Sequence, residues 1–386
     1  MKVLFLTSVP FSEQHEISLN VKNISEKYSV EKWDLSPIYR TSANLNFKPA
    51  SDVKRIETMT YFEKCLRAKV QEGDVLIVTD ILLYNLKRIY SAIKKYPIDI
   101  VTINKEIMAA WIIQNGILSE KLRLSTLVPK IKAEIKRSKL ISSTISRLKC
   151  GSCKYDYVLA SANLQPNAGK YFFQIHHIKY DEFLAQKESE NLVGDKYILF
   201  VESGLTSHPM LKGKKNRLNE QVYLKQMNNY FDRLQERLGM QIVVALHPKS
   251  IFAPGAFNNR LVFQGKTSQL IQHCECVVSH GSTSFINAVL ANKPIKVLTS
   301  YEIENSASNS IVAYGLGFAE LLDLEVVDLN DVEFNDFAIN QEAYTSFRQK
   351  YVINMNHRDE TNKELIVNFI DALCAKKQSG DLALNK

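Results

Sequence analysis

The stretch Ile242-Val243-Val244-Ala245-Leu246-His247-Pro248-Lys249 is a β-branched, apolar run that ends on a His-Pro pair. A short run with no polar alternation predicts a strand buried on both faces, as in a parallel sheet. Proline has no N–H for the ladder and fixes φ, so the strand stops there. The His247 ring is thereby held at the carboxyl edge of the sheet. A ring nitrogen there can donate to a phosphate, and Lys249 adds positive charge beside it. The plainer alternative is a histidine that only caps a strand end.

Downstream, Leu261–Phe263 reads as a short strand, Thr267–His273 as a helix and Cys276–Ser279 as another strand. Then comes His280-Gly281-Ser282-Thr283-Ser284, a helix through Leu290, the turn Asn292-Lys293-Pro294 and the strand Ile295–Leu298. Gly281 permits a tight turn, and Ser282 or Thr283 can cap the helix. N–H groups at a helix start behind a row of hydroxyls suit a phosphate. Taken alone, an ordinary N-cap explains the turn equally well. Its place one crossover beyond His247 lets the two converge on one pyrophosphate or phosphodiester.

Upstream, Tyr197–Val201 is a strand that runs into Glu202-Ser203, with His208-Pro209 in the loop beyond. Glu202 at that edge could act as a general base on an acceptor hydroxyl or as a nucleophile. It could equally be a polar strand end bonded to a neighbouring turn. His208 either joins the same ligand or shapes its loop. Asn219–Leu238 follows as a helix, with Tyr223, Met227, Tyr230, Phe231 and Leu234 on one face and Gly239 at its end.

The first half repeats the alternation. Strands are expected at Val3–Thr7, Ser29–Trp33, Val75–Thr79, Ile98–Ile103, Tyr157–Ala160 and Tyr171–Ile175, with helices such as Tyr61–Val70 and Tyr84–Lys95 between them. Such a pattern builds parallel sheets with helices on both faces. The expected fold class is α/β, with two Rossmann-like doubly wound domains facing a cleft. Residues 1–190 form the first and 191–386 the second, and a long helical pattern over Gln341–Cys374 crosses back to brace the first. Candidate polar groups of the first domain are Glu13 and His15, Asp80, and Asn104 and Glu106, each following a strand. His176 and His177 alternate faces if extended, so at most one points toward a ligand.

With 386 residues, 45% hydrophobic and 23% charged, the chain suits two folded domains rather than disorder. No apolar stretch approaches the roughly 20 residues of a membrane span. Met1–Thr7 is too short, and lacks the cleavage site, for a signal peptide. Among six cysteines, Cys150-Gly151-Ser152-Cys153 has half-site spacing with nothing to complete it, so no metal site is expected. Neither GxxxxGK[ST] nor a complete GxGxxG occurs. From Lys121 to Lys154 ten basic residues face a single acid, Glu134, so this segment carries +9 against a net charge of +8 for the whole chain, and the rest is close to neutral. Its apolar residues recur at helical spacing. The segment is therefore either a helix at an anionic membrane surface or a solvated helix on its own domain. Aromatic residues are not interleaved with the basic ones, which argues against nucleic acid as a partner.

The strand-end acid, the HPK triplet and the STS turn followed by Ala288-Val289-Leu290-Ala291-Asn292-Lys293-Pro294-Ile295 resemble bacterial surface-polysaccharide glycosyltransferases of the two-lobed GT-B type. They look most similar to those using CMP-activated acids: sialic acid (nonulosonate) transferases, with their acid, HP and Ser/Thr motifs, and Kdo transferases. The resemblance covers roughly residues 195–300. It implies that His247 and Ser282, Thr283 and Ser284 contact the donor's phosphate and nucleotide; Pro248, Lys249, His280, Gly281 and His208 beside them are further donor-binding candidates, and Glu202 is the catalytic candidate, as general base or nucleophile. Glu202 stands where the Kdo-type enzymes place an aspartate, and the acid-acid-glycine motif of one sialyltransferase group is missing. The implied enzyme needs no cofactor and no obligatory metal, and no DxD motif is present. Its partners are a nucleotide-sugar donor, CMP favoured, and a capsule, O-antigen, lipopolysaccharide or other lipid-linked glycan acceptor. Its place is the cytoplasm, peripheral on the inner membrane face through residues 121–154. The rivals are a sugar-nucleotide 2-epimerase on the same scaffold and a non-enzymatic binder of anionic surfaces.

Overall fold

The computed structural model describes residues 1–39, 51–105, 153–162, 168–206, 211, 213–330 and 337–379. His208, Glu106, Cys150 and all of the basic segment except Cys153 and Lys154 lie outside these. The described residues divide into two compact units. One is drawn from 1–105, 153–178 and 353–379, the other from 179–352.

The first unit is built on a parallel sheet of β1 (Lys2–Thr7), β2 (Ser29–Asp34), β3 (Val53–Arg55), β4 (Val75–Thr79), β5 (Asp99–Asn104), β6 (Tyr155–Ala160) and β7 (Gly169–Gln174). Their spatial order is β3-β2-β1-β4-β5-β6-β7. Successive side chains of β1 face opposite ways, as the pleat requires. Leu4 and Leu6 enter one core with Phe62 and Leu66 of the helix Met59–Gln71 and Leu86, Ile89 and Ile93 of the helix Leu83–Ile93. Val3 and Phe5 enter the other, where Leu365, Ile366, Phe369, Ile370 and Leu373 of the helix Asn362–Ser379 pack beside Val78, Val101 and Leu159.

The second unit repeats the plan with β8 (Tyr197–Val201), β9 (Gln241–Leu246), β10 (Leu261–Gln264), β11 (Cys276–Ser279), β12 (Ile295–Thr299) and β13 (Glu325–Asp328), in the order β10-β9-β8-β11-β12-β13. All pairings are parallel. The helix Glu220–Leu238 crosses from β8 to β9. The Asn219 side chain caps its start by accepting from Val222 N–H at 3.1 Å, and Gly239 ends it at φ 63°. Its buried residues are Tyr223, Met227, Tyr230, Phe231 and Leu234, the face its spacing predicts.

The pattern over Gln341–Cys374 does not form one helix. Gln341–Phe347 passes into a wide turn over Arg348–Val352, and the helix Asn362–Ser379 begins afresh. The interruption is held by polar bonds: Asn354 Nδ2 donates to Gln174 O at 2.7 Å and Asn362 Nδ2 to His176 O at 3.1 Å. Among the described residues no helix is long and apolar enough to cross a membrane.

Candidate functional site

Strand register sets the site in the second unit. Val201 of β8 lies opposite Ala245 of β9, and Val278 of β11 opposite Phe200. The ends of these strands therefore deliver Glu202, His247 and the loop after Ser279 to one edge. Between β8 and β11 the strand order reverses, which in doubly wound sheets opens a crevice at the carboxyl ends. A cavity of about 570 Å³ occupies that edge, within the size range of small-ligand sites. Glu202, His247, Pro248, Ser282, Thr283 and Ser284 line it, together with Lys179, Glu182 and Gln186 and the segment Gly265–Gln269.

The His247 ring is fixed by its own loop. Nδ1 accepts from Lys249 N–H at 3.2 Å, which puts the proton of a neutral ring on Nε2 and makes that nitrogen a donor. Burial and then the Lys249 charge hold its pKa below the ordinary histidine value, so the ring is neutral at pH 7. Gln264 Nε2 braces the loop by reaching His247 O at 3.1 Å, Pro248 O at 3.2 Å and Ser250 O at 3.2 Å. The Lys249 side chain is exposed and does not line the cavity, contrary to expectation. Its backbone N–H, rather than its charge, meets His247.

Glu202 lines the cavity wall but is only 1% exposed. Its Oε1 accepts from Gly204 N–H at 2.5 Å, and its Oε2 from Ser250 Oγ–H at 2.6 Å and His247 N–H at 3.3 Å. Burial pushes the carboxyl up, and these donors oppose the shift. Glu202, expected as a general base, a nucleophile or a polar strand end bonded to a neighbouring turn, is thus enclosed by donors from the loops after β8 and β9.

The turn after β11 divides its residues. Ser282, Thr283 and Ser284 face the cavity, and Ser282 Oγ accepts from Ser284 N–H at 3.1 Å. His280 does not reach the cavity. Its ring is fully buried, donates from Nδ1 to Leu298 O at 2.9 Å and accepts at Nε2 from Tyr223 O–H at 3.1 Å. Gly281 also lies behind the turn, and its φ is not left-handed. It is needed for space: a Cβ there would overlap Ile311 O and come within 2.9 Å of Gly315 N on the helix Asn309–Leu322.

The walls formed by Lys179–Gln186 and Gly265–Gln269 were not anticipated from the sequence. Glu182 accepts there from Lys179 Nζ at 2.8 Å and Ser268 Oγ at 3.1 Å. Gly265-Lys266-Thr267-Ser268, at the start of the helix Thr267–His273, repeats the glycine-and-hydroxyl pattern of the Ser282 turn, a signal present in the sequence itself.

In the first unit, His15 and Asp80 meet where the order of that sheet reverses, between β1 and β4. His15 Nε2 lies 3.3 Å from Asp80 Oδ2, while Nδ1 accepts from Ser12 N–H at 2.9 Å and lies 2.8 Å from Ser12 Oγ. Burial raises the Asp80 carboxyl and His15 opposes the rise. Glu13 and Asn104 are exposed. Both His176 and His177 are buried, and the His176 ring is engaged at each nitrogen, accepting from Asn354 N–H at 3.0 Å and donating to His357 O at 3.1 Å. No group of three or more His, Cys, Asp or Glu among the described residues is arranged to hold a metal ion.

No protein-family model and no curated protein matches the chain. Solved structures of similar outline include the glycotransferase of kitacinnamycin, at 13% identity, covering 96% of this chain and 98% of that one, TM-score 0.46. The wall teichoic acid polymerase TagF is 12% identical, with 99% and 90% covered and TM-score 0.47. SnogD from Streptomyces nogalater is 12% identical, with 97% and 99% covered and TM-score 0.44. Likenesses of this degree carry no information on donor or acceptor.

Proposed function

We propose that this chain is a GT-B glycosyltransferase whose second unit holds the phosphate of a nucleotide-activated sugar in the cavity at the ends of β8, β9 and β11. One observation carries this reading: His247 and the Ser282–Ser284 turn, far apart in sequence, line the same cavity. His247 offers an Nε2–H donor and the turn offers hydroxyls, groups that suit an anionic leaving group whose charge grows as the glycosidic bond breaks. The HP and STS motifs favour a CMP-linked 3-deoxy-ulosonic or nonulosonic acid as donor and a bacterial surface glycan as acceptor. The basic segment 121–154 would keep the enzyme near a lipid-linked acceptor.

A thermal-shift screen of the full chain against CMP, UDP, GDP and their sugars tests the reading. A ligand at about a hundred times its Kd stabilises by roughly 2.7 kcal/mol, a readily measured rise in Tm. CMP compounds are expected to give the largest rise, and His247→Ala to remove most of it. If no nucleotide shifts the wild-type transition, the phosphate-site reading is wrong.

A further inference from the structure

We infer that Glu202 is a positioning residue: its buried carboxylate fixes the His247 loop for donor phosphate and takes no part in proton transfer. The inference rests on the donor reading above and deepens it. An ionised carboxylate has about four lone-pair sites. Here Gly204 N–H, Leu205 N–H, His247 N–H and Ser250 Oγ–H all donate to it. A general base must accept a proton from an acceptor hydroxyl, and a nucleophile must present an oxygen to carbon. Glu202 could do either only by shedding bonds inside a site that is 1% exposed.

What the carboxylate joins explains its presence. Two of the donors follow β8 and two follow β9, so a single side chain ties both loops to one point. A third tie, Glu202 N–H to Ala245 O at 2.9 Å, holds the carboxylate's own backbone in the ladder. His247 N–H is one of the anchored groups, so the ring starts from a fixed backbone. Its orientation is then completed by Lys249 N–H at Nδ1. If Oε2 no longer accepts, the loop loses its tie to the end of β8, and the Gln264 contacts to its carbonyls and its own Ser250 N–H to His247 O bond at 2.9 Å do not replace that tie. Burial raises the Glu202 carboxyl above its ordinary value, and the same four donors oppose that rise.

The test is a double-mutant cycle on the full chain, with CMP as the probe and affinity read by calorimetry below the melting temperature of every variant. Glu202→Gln keeps the shape but replaces one accepting oxygen by an NH₂ group. It is expected to weaken CMP about 10-fold, and His247→Ala at least as much. The double variant should be no more than about 2-fold weaker than the worse single one, because both changes act through one loop. Loss of stability alone would not produce that coupling. Should Glu202→Gln fail to fold, Ser250→Ala removes one of the same anchors and is expected to show a smaller weakening with the same coupling to His247. Unchanged CMP affinity, or effects that simply multiply, overturns the positioning role while leaving the donor site standing. If the wild type binds no nucleotide, the donor reading fails and this inference falls with it.

Discussion

His280 follows β11 as His247 follows β9, yet the two rings sit in opposite surroundings. His247 is half-buried at a cavity wall, whereas His280 lies in the core against Phe200 and Tyr223. Burial drives the His280 pKa down to about 4, from an ordinary 6.5. The folded protein therefore holds this ring neutral where the unfolded chain would protonate it. Stability from this source is complete above pH 6.5 and drains as pH falls through the window toward about 4. At about 1.4 kcal/mol per pKa unit, the loss is on the order of 3 kcal/mol. Urea unfolding measured between pH 7 and 4 is expected to show this decline, and His280→Gln to flatten it by about one proton. In the sequence the two histidines looked alike, each an apolar run followed by a histidine and a turn residue. Only the register of neighbouring strands and the arrival of Tyr223 on a distant helix separate a cavity wall from a core.

Among elements, the helix Asn309–Leu322 decides where the Ser282–Ser284 turn lies. Gly281 and Gly315 meet backbone to backbone, and a Cβ on Gly315 would overlap His280 O. Gly315→Ala is expected to destabilise by about 2–3 kcal/mol, at the upper end of overpacking effects, and to weaken nucleotide binding by displacing the turn. Chemical denaturation and calorimetry with CMP check the two effects separately. This helix escaped the sequence reading for a physical reason. Val312–Ala319 is buried on all sides, so no polar face marks its period. β3 and β13 were missed because each is a brief, partly exposed strand. By contrast, β8, the helix Thr267–His273 and β11 have the bounds expected, since apolar runs between turn residues report strands and helices directly. The donors to Glu202 were not legible at all. They come from loops after different strands, and only the register brings them together.

For the whole molecule, the first unit is discontinuous in sequence and the second is continuous over its described residues. Ending the chain at Val352 would strip Leu365, Ile366, Phe369, Ile370 and Leu373 from one face of the first sheet. At about 1.5–3 kcal/mol per large buried side chain, the loss is on the order of 10 kcal/mol, comparable to the stability of an entire domain. Calorimetry of that truncation is expected to lose the first unit's transition and to keep one that CMP raises, and limited proteolysis should cut within residues 1–178 first. The same discontinuity sets a timetable on the ribosome. The strands β1 to β7 emerge before the second unit, but the helix that covers one of their faces is made after it. At roughly 5–20 residues per second, that apolar face waits on the order of ten seconds or longer for its cover. Meanwhile the second unit can complete its own core. Of the two units, the one that is begun first is thus the last to close, and it is the one for which a chaperone's shelter matters most.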